Sequence, residues 1–175
     1  MNTRKSKNMK LIYTALFAAL VCVATSVIRI PTPGTSGYVH PGDALVILSG
    51  LTLGPIWGGL AAGIGSALSD LLGGYIIYVP ITCLIKGGSA FLIGYVMKHI
   101  DKEQKKHTFM VVLASVINGV VVVGGYLSFE TVLYSFPAAL ASVIPNLIQV
   151  GAGLVLAVVF YPLVHRIPYL RSEEL

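Results

Sequence analysis

From Thr108 to Leu127 the chain reads TFMVVLASVINGVVVVGGYL, twenty residues without a charge. About 20 predominantly apolar residues make a helix long enough to cross the hydrocarbon layer of a bilayer. The rest of the chain is of the same kind. Of 175 residues, 55% are hydrophobic and 11% are charged, and the mean hydropathy is +0.83. A soluble domain carries about 25% charged residues, because water must solvate its surface. This chain has too few charges for such a surface, so its outside must face lipid.

Six apolar segments fit the length: 11–30, 43–55, 57–72, 81–97, 108–127 and 138–164. The expected fold is an all-α integral membrane protein, one membrane domain over 1–175 with six transmembrane helices. The second segment is the weakest of the six, its apolar core being short. Ten of the twelve basic residues fall in three places. Arg4, Lys5, Lys7 and Lys10 precede the first segment, and Lys98, Lys102, Lys105 and Lys106 separate the fourth from the fifth. Arg166 and Arg171 come after the sixth. Lys and Arg close to membrane spans stay cytoplasmic. An even number of spans puts all three clusters on one side, so both termini are expected in the cytoplasm of a multi-pass plasma-membrane protein. This placement also accounts for the net charge of +5 without a nucleic-acid partner.

The amino end, basic then apolar then Ala24-Thr-Ser26, also has the shape of a signal peptide. The chain beyond it consists of further membrane segments with no soluble domain, which argues against that reading. Cys22 and Cys83 lie within apolar runs and form neither a disulfide framework nor a metal site. No Walker loop, H-E-x-x-H or C-x-x-C occurs, and no nucleophile has a positioned base. The expectation is therefore a chain with no catalytic residues, no metal ligands and no cofactor.

Small residues mark helix contacts in a bilayer, where lipid supplies no hydrophobic drive for association. Gly59 and Gly63 form a G-x-x-x-G that reads as internal packing. Ala15 and Ala19 carry the same spacing in the first segment, where another span or another protein would serve equally well.

Polar residues in a membrane are costly and face a cavity or a partner. Here they gather toward one side: Arg29, Asp43, Asp70, Lys86 and Glu130, with Lys86 about 8 Å below the outer end of its segment. A transmembrane proton or ion path would need polar groups at every depth. This distribution describes a pocket opening outward instead. Lys86 needs a carboxylate, either Asp70 as an interhelical ion pair or a ligand acceptor. Asn118, and Asn146 with Gln149 on one helix face, add amides that read the edge of a neutral heterocycle. Tyr38 and His40 stand in the Pro/Gly-rich stretch 31–42, which has the character of a lid. Tyr75, Tyr78, Tyr126, Phe129, Tyr134 and Phe136 extend the aromatic cluster, part of which an interfacial belt would explain.

Five ordered motifs add a resemblance. They are Pro41-Gly-Asp43, Gly54-Pro55-Ile56-Trp57-Gly58, Ala67-Leu-Ser-Asp70, Lys86-Gly87 and Ile144-Pro145-Asn146-x-x-Gln149. In order and spacing the chain resembles the substrate-binding S subunits of energy-coupling factor (ECF) vitamin transporters, nearest the riboflavin and hydroxymethylpyrimidine or pyridoxine branch. The resemblance implies six helices and a vitamin held near the outer face under the loop joining spans one and two. It also implies a transmembrane coupling subunit and two ABC ATPase subunits as partners, so that ATP is hydrolysed elsewhere. Transport would proceed by toppling of the subunit in the bilayer, with Ala15 and Ala19 against the coupling subunit. The substrate-binding set expected on both grounds is Tyr38, His40, Asp43, Asp70, Lys86, Asn118, Glu130, Asn146 and Gln149. The density of amides and charges favours a single pyridine or pyrimidine ring over a tricyclic flavin. A stand-alone carrier and a membrane scaffold are the competing readings.

Overall fold

The computed structural model describes residues 3–32, 34–100 and 107–167, with side chains from residue 8 onward. The basic side chains of Arg4, Lys5, Lys7, Lys102, Lys105, Lys106 and Arg171 lie outside that description. Among the described residues the elements are α1 (Thr3–Val27), β1 (Ile30–Pro31), β2 (Tyr38–Val39), α2 (Asp43–Leu72), α3 (Val79–Lys98), α4 (His107–Leu133) and α5 (Phe136–His165). All five helices contain stretches long and apolar enough to cross a membrane.

The helix count is five where six were expected, and the difference lies at Gly54. Hydrogen bonding is continuous enough to join the expected segments 43–55 and 57–72 into α2, but Gly54 has φ 76° and ψ −171°. Only glycine reaches that conformation without strain, and the next residue, Pro55, has no N–H to continue a helix. The chain reverses there. Ser49 Oγ lies 3.3 Å from Gly58 O, nine residues on, whereas nine residues of straight helix would separate the two by about 13 Å. α2 is thus two arms lying side by side, 43–53 and 55–72.

The other boundaries shift for local reasons. The first expected segment, 11–30, stops at Val27. Pro31 and Pro33 come soon after, and proline biases its predecessor away from helix. Ile30 and Pro31 instead pair antiparallel with Val39 and Tyr38. α4 runs past Leu127 to Leu133, so Glu130 sits inside the helix rather than beyond its end. α5 opens on a capped turn, with the Ala138 N–H donating to Ser135 Oγ at 3.4 Å.

Packing is set by the small residues. A Cβ at Gly59 would lie 3.0 Å from Gly87 O, and one at Gly63 would lie 2.9 Å from Cys83 O. Only hydrogen at both positions lets the second arm of α2 meet α3 at backbone distance. On α1, Ala18 and Val21 face Gly65, while Ala15 and Ala19 are exposed among Leu11, Ile12 and Leu16. The two ends of the bundle differ. At the end where α3 finishes and α4 begins, Phe17, Ile47, Leu48, Leu51, Ile93, Met97, Met110 and Val111 form a continuous apolar core. The opposite end holds the polar groups, under the segment between α1 and α2.

Candidate substrate-binding site

The segment between α1 and α2 folds over the polar end as a lid. Its two short strands are closed by a Thr32 N–H to Gly37 O hydrogen bond of 3.0 Å. Side chains of α2 and α5, and one just beyond α4, fasten it directly. Tyr38 Oη donates to Asp70 Oδ1 of α2 at 2.6 Å. The His40 N–H donates to Gln149 Oε1 of α5 at 2.8 Å. The Ser36 N–H reaches Tyr134 Oη, just beyond α4, at 3.3 Å, and Gly37 passes beside Tyr78 Oη at the start of α3.

Arg29 fastens the lid from the α1 side. Its Nη2 donates to Ser69 O (2.8 Å), Ser69 Oγ (3.0 Å) and Ser26 Oγ (3.2 Å). Its guanidinium lies 5.1 Å from the Tyr38 ring centroid and 5.7 Å from that of Tyr75, within cation–π range. Gly73 leaves the space the guanidinium occupies, since any Cβ there would collide with it.

Beneath the lid lies a cavity of about 20 Å³, lined by Thr32, Gly37, Tyr38, His40, Asp70, Tyr78, Thr82, Tyr126, Glu130 and Asn146. That is room for a water or so. Asp70 and Glu130 are 3% and 2% exposed. Glu130 Oε1 accepts from Tyr78 Oη at 3.0 Å. The second oxygens, Asp70 Oδ2 and Glu130 Oε2, are buried without a hydrogen-bond partner among the described residues. Thr82 stands beside Asp70, with its hydroxyl 3.0 Å from Tyr126 Oη.

The lid's own titratable groups stay neutral. Burial, reinforced by the Lys86 charge, pushes His40 down to about 3. Its Nδ1 accepts the Gly42 N–H at 3.1 Å, which places the ring proton on Nε2. Burial and the bond to Asp70 push the Tyr38 phenol up.

A second polar cluster lies under the cavity floor, where the short first arm of α2 begins. Asp43, fully buried, accepts from Lys86 Nζ at 2.5 Å, Asn118 Nδ2 at 2.9 Å and Gln149 Nε2 at 3.1 Å. Ser89 Oγ donates to Asn118 Oδ1 at 2.7 Å and so orients that amide. Lys86 therefore pairs with Asp43, and the Asp70–Lys86 ion pair is not formed. Because the lid dips inward before α2 starts, Asp43 is carried to the depth of Lys86, about 10 Å below the start of α3.

Of the nine expected site residues, Tyr38, His40, Asp70, Glu130 and Asn146 line the cavity. Asp43, Lys86, Asn118 and Gln149 form the cluster below it. The lining also includes Thr32, Gly37 and Thr82, which sequence reasoning did not single out, and Tyr78 and Tyr126, which entered only as aromatics. A signal for three of these was present. Tyr78, at the cap of α3, and Thr82 and Lys86 within it are spaced four apart, and Asn118, Val122, Tyr126 and Glu130 are spaced four apart on α4, each along a single helix face.

Fold and cavity together define a multi-pass membrane protein built around a lidded polar chamber. The chain belongs to the family described as ECF-type riboflavin transporter, S component, whose profile matches residues 5–166. S components are substrate-binding transporter subunits and not enzymes. The fold is similar to the crystal structure at 2.1 Å of the S-component for biotin from an ECF-type ABC transporter. The TM-score is 0.68 at 21% identity, covering 95% of this chain and 94% of that one. A Pyrococcus woesei protein described as "uncharacterized protein in gap 3′region" is 37% identical over 114 residues, 65% of this chain and 73% of that protein.

Proposed function

We propose that this chain captures a small heteroaromatic vitamin or precursor, of the pyridoxine or hydroxymethylpyrimidine type, and delivers it to an ECF-type importer in the plasma membrane. The observation that carries the reading is the closed polar chamber with two unpartnered carboxylate oxygens under a lid. On this reading the two arms of α2 are separate crossings, giving six. Lys10, Lys98 and Arg166 all lie at the end opposite the lid, so that end is cytoplasmic and the chamber faces outward. The first arm has only eleven residues, about 16 Å of helix, and crosses because the lid supplies the remaining depth. A second reading, riboflavin, is favoured by the family's description.

Transport on this reading uses a transmembrane coupling subunit and two ABC ATPase subunits, and the exposed Ala15 and Ala19 offer a close-packing face for the coupling subunit. Ala15→Trp or Ala19→Trp then abolishes co-purification with that subunit and uptake while ligand binding persists. Intact assembly in both variants returns α1 to lipid contact alone. The site is tested by mass spectrometry of small molecules released from the purified, detergent-solubilised chain. A stoichiometric pyridine or pyrimidine supports the first reading and a flavin the second. An empty chain that binds nothing across a vitamin panel removes both.

A further inference from the structure

Asp70 and Glu130 reach the same chamber from α2 and α4, and each leaves one buried oxygen without a donor among the described residues. A carboxylate oxygen removed from water and given no donor is costly to the fold. Neither acid is neutralised by a contact. The Lys86 ammonium is committed to Asp43, and the hydrogen bonds of Arg29 Nη2 go to Ser26 and Ser69. The tyrosines that touch the two carboxylates bond only the opposite oxygens. Asn146 and His40 share the lining, side chains with N–H groups that can serve an acceptor on the ligand.

From this asymmetry we infer that the substrate carries N–H or O–H donors on two separate edges and bears no negative charge, with Asp70 and Glu130 selecting for both properties. The inference rests on the vitamin-capture reading and narrows it. An exocyclic amine, a ring N–H or a hydroxyl satisfies each open oxygen. A carboxylate-bearing vitamin would set its anion against two acidic side chains in a chamber whose lining holds no Lys or Arg, and that mismatch acts as specificity against anions.

The experiment is calorimetric titration of the purified chain in detergent, with melting followed in parallel. The probes are 4-amino-5-hydroxymethyl-2-methylpyrimidine, pyridoxine and riboflavin on one side, and biotin, pantothenate and nicotinate on the other. Binding is expected from the uncharged donors alone. Asp70→Asn and Glu130→Gln each place a donor where an acceptor stood, and are expected to weaken the best binder by about 10–100-fold. If either variant fails to fold, the wild-type panel decides by itself. Tightest binding by an anionic vitamin, or wild-type affinity in both variants, overturns the inference and leaves vitamin capture standing. Binding by none of the six overturns both.

Discussion

Two acidic clusters lie a few ångströms of depth apart in this bundle and are treated in opposite ways. Asp43 receives three donors from three helices, and both its oxygens are occupied. Asp70 and Glu130 each receive one, and each keeps a buried oxygen open toward the cavity. Residue type and burial are nearly the same in the two clusters, and what separates them is satisfaction. A saturated buried charge holds helices in register, whereas an unsaturated one is at its most stable only when something else arrives. On the function proposed above, the first cluster is the floor of the site and the second its recognition surface.

The sharpest way to break this comparison is to cut the floor. Lys86→Met leaves Asp43 buried without its cation, and removing one partner of a buried pair costs about 3–5 kcal/mol. Loss of the monodisperse folded peak on size exclusion is the expected outcome, with partial recovery when Asp43→Asn is added. A Lys86→Met chain that folds normally and only binds less tightly would move Lys86 from floor to recognition surface.

The walls should answer in the reverse sense. Asp70→Asn and Glu130→Gln are expected to leave the ligand-free melting temperature nearly unchanged while lowering affinity. A smaller effect is expected at the lid's α1 anchor. Arg29→Lys keeps the charge but loses the planar fork that serves Ser26 and Ser69 while stacking beside Tyr38. The expected result is a loss of about 1 kcal/mol, seen as a faster ligand off-rate with little change in on-rate.

The most specific effect belongs to His40. Its folded pKa lies near 3, below the ordinary value of about 6.5. Between those values the unfolded chain holds the extra proton and the folded chain does not. The neutral, buried His40 therefore costs nothing through protonation above pH 6.5, and stability falls as pH drops below it, by up to about 1.4 kcal/mol per unit. His40→Asn keeps an acceptor for the Gly42 N–H and should flatten the melting profile between pH 7 and 5. Parallel profiles for the two proteins would show that His40 does not carry the dependence.

How much of the site was legible depended on whether a residue's role came from its own environment or from its neighbours. Asp70, Glu130 and Asn146 stood out because polar groups in or beside apolar segments require a reason, Tyr38 and His40 because they stand in the Pro/Gly-rich lid stretch, and all five line the cavity. Lys86 stood out equally, yet its partner was expected to be Asp70 or a ligand, and the ion pair goes to Asp43. Finding that partner required the depth at which α2 begins. Thr32 carried no local signal, because a threonine in a Pro/Gly-rich stretch is ordinary until its neighbours are known.

Composition alone determined that this chain lives in lipid, and the apolar segments determined its helical class, because both depend on the cost of exposing or burying each residue by itself. The small-residue face of the second arm of α2 was equally readable, as close approach depends only on missing side-chain atoms. The tertiary structure decided what depends on two places at once. Gly54 set the reversal that lays the two arms of α2 side by side, and the inward dip of the lid delivered Asp43 to Lys86. That arrangement left Asp70 and Glu130 with the open oxygens. Such pairings are set by distances between segments far apart in the chain, and no local pattern of residues encodes them.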